Sequence, residues 1–432
     1  IGGLLLDLPY ADTRCGEKVF RRTALGAVLY ELDITGLTFD VSLLDSLRRR
    51  GYRIREVPIR WGDHPGTSVR LGRAVPEMLL SMAVLWIRHL NPAYHHTPLE
   101  KRLRKSSVGE SDRPLISIII PVRGYSEDLE ACVRECLSQA YEPLEVIVLP
   151  DAQLPDLPAA EPRLRQIATG PVIPGRKRNQ GMAAASGVLA AFIDADAYPD
   201  PHWLAWALKY FEDPNVAAVG GPNINPAGES ERQKASGEIM SSIIGAGSFA
   251  LRYRARSIFR RSQPVRELPS CNLVVRREAA LACGGFDDHL LTAEDAALCF
   301  RLREHGGQVI YAPDVRVFHH RRPVFLPHLR QIQAYGRDKA WLLKSSFTID
   351  KLYYFIPSLF LCFVLLFPLA LIWEGFGYFY LLTAGVYFSL TAAAALWAGR
   401  RRFFLVFPGF FLTHVTYGAA FIYGLFSKKR QR

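Results

Sequence analysis

From Pro114 onward, apolar and polar residues fall into alternating blocks. The run "LISIIIPV" is almost continuously apolar and β-branched, as suits a strand covered on both faces of a parallel sheet. In the next block, "SEDLEACVRECLSQA", Leu129, Cys132, Val133, Cys136 and Leu137 recur at helical spacing, and Ser126 stands where an N-cap belongs. A second strand, "LEVIVLPD", ends at Asp151. A helix carrying "GRKRNQGMAAASG" then feeds "VLAAFI", which ends on Asp194 and Asp196. This order predicts right-handed β-α-β units, hence an α/β class. Ligands of such sheets bind at the carboxyl ends of the strands, where Pro121, Asp151, Asp194 and Asp196 all fall.

The pattern changes after Tyr353. Three long apolar runs, Tyr353 to Trp373, Gly377 to Ala398 and Phe403 to Phe426, each match the roughly 20 residues that cross a bilayer as helix. The alternative, three buried helices of a soluble domain, would normally carry a polar face. A Glu-Gly-Phe-Gly turn and the basic run to Arg402 separate them, and Lys428, Lys429, Arg430 and Arg432 close the chain. A cytoplasmic Arg400–Arg402 loop satisfies the positive-inside rule, but three full spans would then place the basic tail outside. One run is therefore open to a re-entrant or interfacial reading. Before Pro114, Met78 to Trp86 is too short to span, and residues 95 to 114 are polar and aperiodic, like a linker. The expected domains are a first segment over 1–95, a linker over 96–113, a catalytic domain over 114–345 and transmembrane helices over 352–426.

Composition adjusts this picture at two points. The excess of 53 Lys and Arg over 41 Asp and Glu gives +12, which suits anionic lipid headgroups and phosphorylated substrates. Nucleic acid is not an expected partner, since neither zinc-finger spacing nor a basic stripe with interleaved aromatics is present. The seven cysteines include no C-x-x-C, which fits a reduced, cytoplasm-facing catalytic part. The opening "IGGLLLDLPYADTRCG" has no methionine and reads as mid-domain sequence.

Asp194 and Asp196 pose the chemical question. Two carboxylates that close repel each other and resist desolvation, so they need full exposure to water or a cation between them. An exposed Asp turn satisfies the spacing as well as a metal site does. At the carboxyl edge of a parallel sheet, however, they suit a divalent Mg or Mn ion holding a diphosphate. Glu294 and Asp295 likewise read either as acids at a helix N-terminus, favoured by its dipole, or as catalytic groups.

In their order and spacing, "SIIIPVRG", "EVIVLPD", "GRKRNQG", "FIDADAYPDPHWL", "CNLVVRREAALACGGFDD", "AEDAALCFRL" and "YAPDVRVFHHRR" resemble the family 2 glycosyltransferases. These are inverting enzymes of the GT-A fold that use nucleotide-diphosphate sugars. The resemblance implies a mixed, mostly parallel sheet followed by the C-terminal membrane helices. It places Pro121, Val122 and Asp151 beside the base and ribose, with Arg178, Asn179 and Asp194 in donor binding. Asp194 and Asp196 would manage the metal and diphosphate. Asp295, with Glu294 beside it, aligns with the general base that takes the acceptor hydroxyl proton. Asp287, Asp288, His319, His320, Gln331 and Arg337 fall in the acceptor or diphosphate region, although His319 and His320 read equally as surface imidazoles. One departure is that Pro150 precedes Asp151, where the family often has two acids.

Processive members of this family carry Q-x-x-R-W before their membrane helices, whereas this chain has "RQIQAYGRDKAW". Single-sugar transfer in polysaccharide or cell-envelope synthesis is therefore expected. The acceptor would be lipid-linked or a glycan, met at a bacterial inner membrane. "DTRCGEKVFRR", "FDVSLLDSLRRRGYRIREVPIRW" and "GTSVRL" resemble the closing part of a dolichol-phosphate mannosyltransferase-like domain without its metal-binding half. Two readings compete: a metal-dependent nucleotidyl or phosphoryl transferase, against which stands the lack of a P-loop, and an inactive membrane scaffold.

Overall fold

The computed structural model describes residues 10, 18–21, 24, 39–49, 52–57 and 82 and, from 113 onward, all except 156, 158–160, 254–261, 346, 348 and 428–432. The expected linker up to 112, most of Met78 to Trp86, "GTSVRL" and the basic tail lie outside the described residues. Two compact units divide the chain, one within Ile1–Asp112 and the other formed by Arg113–Ala255 with Arg261–Arg432. In the first, helix α1 (Phe39–Arg49) packs Leu43 and Leu47 with Ala24, flanked by Phe20, Tyr52 and Ile54.

The second unit opens with β1 (Ile116–Pro121), α2 (Glu127–Leu137), β2 (Leu144–Leu149), β3 (Leu164–Gln166), α3 (Pro174–Ala184), β4 (Leu189–Phe192), β5 (Ala197–Pro199) and α4 (Trp203–Leu208). There follow β6 (Val216–Gly220), β7 (Asn223–Ile224), α5 (Glu231–Ser241), α6 (Ile243–Ala246), β8 (Gln263–Pro264), β9 (Leu273–Arg276), α7 (Arg277–Ala282), α8 (Glu294–Glu304), β10 (Gln308–Tyr311) and β11 (Val317–His319). The main sheet runs β3-β2-β1-β4-β9-β6-β10-β8. Its first four strands are parallel, β9 lies antiparallel between β4 and β6, and β10 returns parallel to β6. A small sheet, β5-β11-β7, stands beside it.

The continuous apolar runs are explained by burial of both faces. Ile116, Ile118 and Ile120 join Val146 and Val148 against Leu129, Cys132, Val133 and Cys136 of α2. Ile119, Ile147, Leu149, Ala190 and Phe192 pack on the other face with Met182 of α3 and Leu298 and Leu302 of α8. Ser126 caps α2 by accepting from the Leu129 N–H at 3.1 Å, as the spacing predicts.

Beyond the sheets come α9 (Leu326–Ser345), α10 (Ile356–Leu365), α11 (Phe367–Ile372), α12 (Glu374–Trp397) and α13 (Phe403–Phe426). Three helical stretches are long and apolar enough to cross a membrane: Lys351–Ile372, Glu374–Trp397 and Arg400–Phe426. Only 6% and 17% of the first two are buried, so their apolar side chains face outward, which a soluble domain would not tolerate. Ile372, Trp373, Leu382 and Trp397 are among the exposed ones. The third, α13, packs against α9 at a small-residue seam. A Cβ on Gly336 would lie 2.6 Å from the Tyr417 carbonyl oxygen, and one on Gly424 2.6 Å from that of Arg337, so both helices approach as closely as glycine permits. The site therefore sits between an α/β sheet edge and a helical bundle that form one unit.

Candidate active site

Helix α3 delivers two adjacent cations to the carboxyl edge of the sheet. Successive residues on a helix point in different directions, and both side chains are nonetheless buried, 3% and 4% exposed. The Lys177 ammonium donates to the Val122 carbonyl at 2.5 Å, the Leu149 carbonyl at 3.1 Å and Asp151 Oδ1 at 2.5 Å. It thus knits the ends of β1 and β2 to the acid that follows β2. Arg178 reaches the other way, donating Nη2 to Asp194 Oδ1 at 2.6 Å and Nη1 to Glu294 Oε1 at 2.7 Å. One guanidinium joins the two acidic motifs, which lie a hundred residues apart in sequence. Burial disfavours its charge, but Asp194 and Glu294 outweigh burial and hold its pKa above the ordinary value.

Asp196 faces β11. Its Oδ1 lies 3.1 Å from His319 Nε2, and its Oδ2 accepts from Arg322 Nη2 at 3.3 Å. Burial alone would raise its pKa, but the hydrogen bond and charge of His319, then Arg322, pull it down to about 2. For His319, burial lowers the pKa while Cys271 and Asp196 together push it up to about 10. Asp194, Asp196 and His319 offer ligand atoms within 4.8 Å of one another. Two carboxylates and an imidazole fit a hard or borderline divalent cation, whose binding would displace the imidazole proton.

The second acidic pair opens α8 behind Ala293, a non-glycine residue with φ of 69°, in the left-handed region where Cβ crowds the backbone. Asp295 lies next to this strained turn, its Oδ2 accepting from Ser270 N–H at 3.1 Å and its Oδ1 from Ala296 N–H at 2.7 Å. Glu294 is buried rather than a solvated first-turn acid. Burial and the neighbouring Asp295 charge raise its pKa, with Arg178 pulling against them.

One cavity of about 1650 Å³ takes in most of these groups. Pro121, Val122, Asp151, Arg178, Asp194, Asp196, Asp288, Glu294, Asp295, His319, His320 and Gln331 line it. Asn179, Asp287 and Arg337 do not. The Asn179 amide is occupied both ways by the Phe286 backbone, donating at 2.9 Å and accepting at 2.8 Å, so it braces the loop before α8. Asp287 accepts from His289 N–H at 2.9 Å, and Arg337 pairs with Asp338 at 2.8 Å while lying over Trp341. The surface reading of His319 does not hold, since it is part-buried against Asp196.

Several wall residues carried no signal of their own in the sequence. Lys177 sits in a basic run whose faces only the fold separates, and Ser270 contributes a backbone N–H. The cavity is also lined by Tyr253, Tyr335 and Ile243 and by Ile356, Phe360, Tyr387 and His414, so helices of the membrane stretches form part of its wall. Apolar residues of a span look alike in sequence whether they face lipid or a cavity.

Residues 113–334, just over half of the chain, match the family described as glycosyltransferase like family 2. The chain is 34% identical over 167 residues to the pre-mycofactocin glycosyltransferase of Mycobacterium tuberculosis, covering 39% of this chain and 34% of that protein. It thus spans about a third of the length of that relative. The glucosyl-dolichyl phosphate glucuronosyltransferase of Haloferax volcanii is 25% identical over 238 residues, 51% of this chain and 70% of that protein. A mannosyltransferase from Pyrobaculum calidifontis, solved with GDP-Man and Mn2+, aligns with a TM-score of 0.49 at 19% identity, covering 81% of this chain and 98% of that one. With the GT-A sheet order, the paired acidic motifs at its carboxyl edge and a match over more than half its length, the chain belongs to the family 2-like glycosyltransferases.

Proposed function

We propose that this chain moves one sugar from a nucleotide-diphosphate sugar to a hydroxyl of a lipid-linked or cell-envelope acceptor, with inversion and with a divalent metal. The observation that supports it most directly is the Arg178 bridge, which sets Asp194 and the Glu294–Asp295 pair around one cavity that helices of the membrane stretches also line. Asp151, fixed by Lys177, and the ends of β1 and β2 form the nucleotide end. Asp194, Asp196 and His319 would hold the metal. When bound there, a divalent cation supplies Lewis-acid stabilisation of the departing diphosphate.

Asp295 takes the acceptor hydroxyl proton during in-line attack on the anomeric carbon, its orientation set by Ser270 and Ala296 N–H. Glu294 holds Arg178, and Arg178 in turn fixes Asp194. Transfer stops after one sugar, as the absence of Q-x-x-R-W implies. The work belongs at a bacterial inner membrane, with the catalytic part on the cytoplasmic side, where nucleotide sugars are available. A donor screen by mass spectrometry, with the full chain in purified membranes and polyprenyl-linked acceptors, tests this reading. The expected result is a product one sugar heavier from one nucleotide sugar; a ladder of products, or none from any donor, argues against it.

A further inference from the structure

Among the described residues, the buried and part-buried cations of the cavity wall are answered by acids with one exception. Lys177 has Asp151, Arg178 has Asp194 and Glu294, Arg252 and Lys339 share Glu267, and His319 has Asp196. Arg321, 9% exposed, makes no ion pair among the described residues. Its Nη2 donates to the Asn223 carbonyl and its Nε to Asn225 Oδ1 at 3.4 Å, and its guanidinium lies 4.6 Å from the Tyr253 ring centre. The nearby acid, Glu229, accepts instead from Arg321's own backbone N–H at 2.7 Å and from the Asn225 amide at 2.5 Å. Nη1 makes no hydrogen bond among the described residues and stays open to the cavity. A guanidinium with a free donor and no ion pair is a ready seat for an anion.

The surroundings indicate which anion. On α9, Gln331 Nε2 donates to the Tyr335 hydroxyl at 3.0 Å, so Tyr335 keeps its own proton to donate. Burial raises the pKa of Tyr253 and of Tyr335; the Asp295 charge adds to this and the Arg321 charge opposes it, so both tyrosines lie within electrostatic reach of the base and of the arginine. The same cavity is also walled by Ile243, Ile244, Ile356 and Phe360. An anionic group at Arg321 would therefore share the cavity with Asp295, which meets the reacting hydroxyl, and with apolar walls that suit a lipid chain. That is the build of a lipid phosphodiester whose headgroup carries the hydroxyl.

We propose that Arg321, with the Tyr335 hydroxyl, forms the phosphate subsite of the acceptor, in the cavity that the acids and the helices of the membrane stretches line together. This rests on the reading that the acceptor is lipid-linked. A free phosphate, or the diphosphate of the departing nucleotide, would offer the same chemistry without the chain.

The test is equilibrium binding to the full chain in phosphatidylcholine nanodiscs. The probes are a short polyprenyl phosphate and the matching polyprenol, with inorganic phosphate as competitor. The wild type should bind the phosphate ester roughly 10- to 100-fold more tightly than the alcohol, the weight of a charge-assisted hydrogen bond. Arg321→Ala should erase that preference while leaving polyprenol and nucleotide-sugar binding unchanged, and inorganic phosphate should not displace the lipid. If the alanine variant does not fold, Arg321→Lys and Tyr335→Phe carry the test, each cutting the preference several-fold. A preference that survives these changes overturns the subsite and leaves the lipid-linked reading intact. Displacement by inorganic phosphate at matching concentration assigns the site to a free anion and overturns it too. If neither lipid binds, the lipid-linked reading falls and the subsite falls with it.

Discussion

Asp196 carries one end of the proposed metal site and little of the core, because it lies past the end of β4 and its partners are the cavity residues His319 and Arg322. Asp196→Ala should therefore abolish metal-dependent nucleotide-sugar binding while leaving the unfolding transition of the chain in place; calorimetry with Mn2+ and donor checks this, and wild-type affinity would put the anchor elsewhere. His328 is a different case. It is buried on α9 between Ser236, at 2.9 Å, and Thr413, at 3.0 Å. The Thr413 hydroxyl donates to the Gly409 carbonyl, so it accepts from His328 Nε2–H and leaves Nδ1 to accept from Ser236. Burial, with Arg321 adding, depresses the His328 pKa to about 4. The unfolded chain takes up this proton near pH 6.5 and the folded one only near 4. The contribution to stability is thus fully present above pH 6.5 and is lost as pH falls from there towards 4. Denaturant unfolding of the full chain in detergent should show that loss, and His328→Gln should flatten it; an unchanged slope would contradict the assignment. Residues that act through charge at strand ends were legible in the sequence, since the "FIDADA" and "TAED" motifs mark themselves. His328, Lys177 and Arg321 were not, because their roles depend on which distant groups the fold sets beside them.

At the scale of elements, the membrane-side helices brace the loop that holds Asp295. Glu267, fully buried, pairs with Lys339 of α9 and with Arg252, and accepts from the hydroxyls of Tyr353 at 3.1 Å and Tyr354 at 3.0 Å. Three residues further on, Ser270 gives its N–H to Asp295. Removing this acid leaves two part-buried cations unanswered, so Glu267→Ala should destabilise the chain by about 2–4 kcal/mol, measured by denaturant unfolding in detergent. A change within 1 kcal/mol would mean that the tyrosines and lysine are held by other contacts. Strands β1, β2 and β4 and the helices α2 and α13 were readable from period and length alone. The antiparallel insertion of β9 was not, because a strand buried on both faces carries no mark of its direction. Nor was the division of the first membrane stretch, where α10 ends at Leu365 and α11 begins at Phe367, just before Pro368.

For the whole molecule, the sheet edge and the helical bundle are parts of one compact unit that runs from Arg113 to the C-terminal helices. The expected boundary near 345, between catalytic domain and membrane helices, rested on a change of composition. Such a change says nothing about whether the parts pack together. They do, through α9 against α13 and through the shared cavity. On the proposed function, this cavity carries out sugar transfer with Asp295 as its base. The most direct measurement is single-turnover transfer by the full chain in nanodiscs, wild type against Asp295→Asn, with donor affinity measured on the same samples. Removal of a base that acts only in the transition state should slow transfer by roughly 10²- to 10⁴-fold and leave donor binding within a few fold. Transfer at the wild-type rate in Asp295→Asn, or a loss of donor binding as deep as that of Asp196→Ala, would contradict the account.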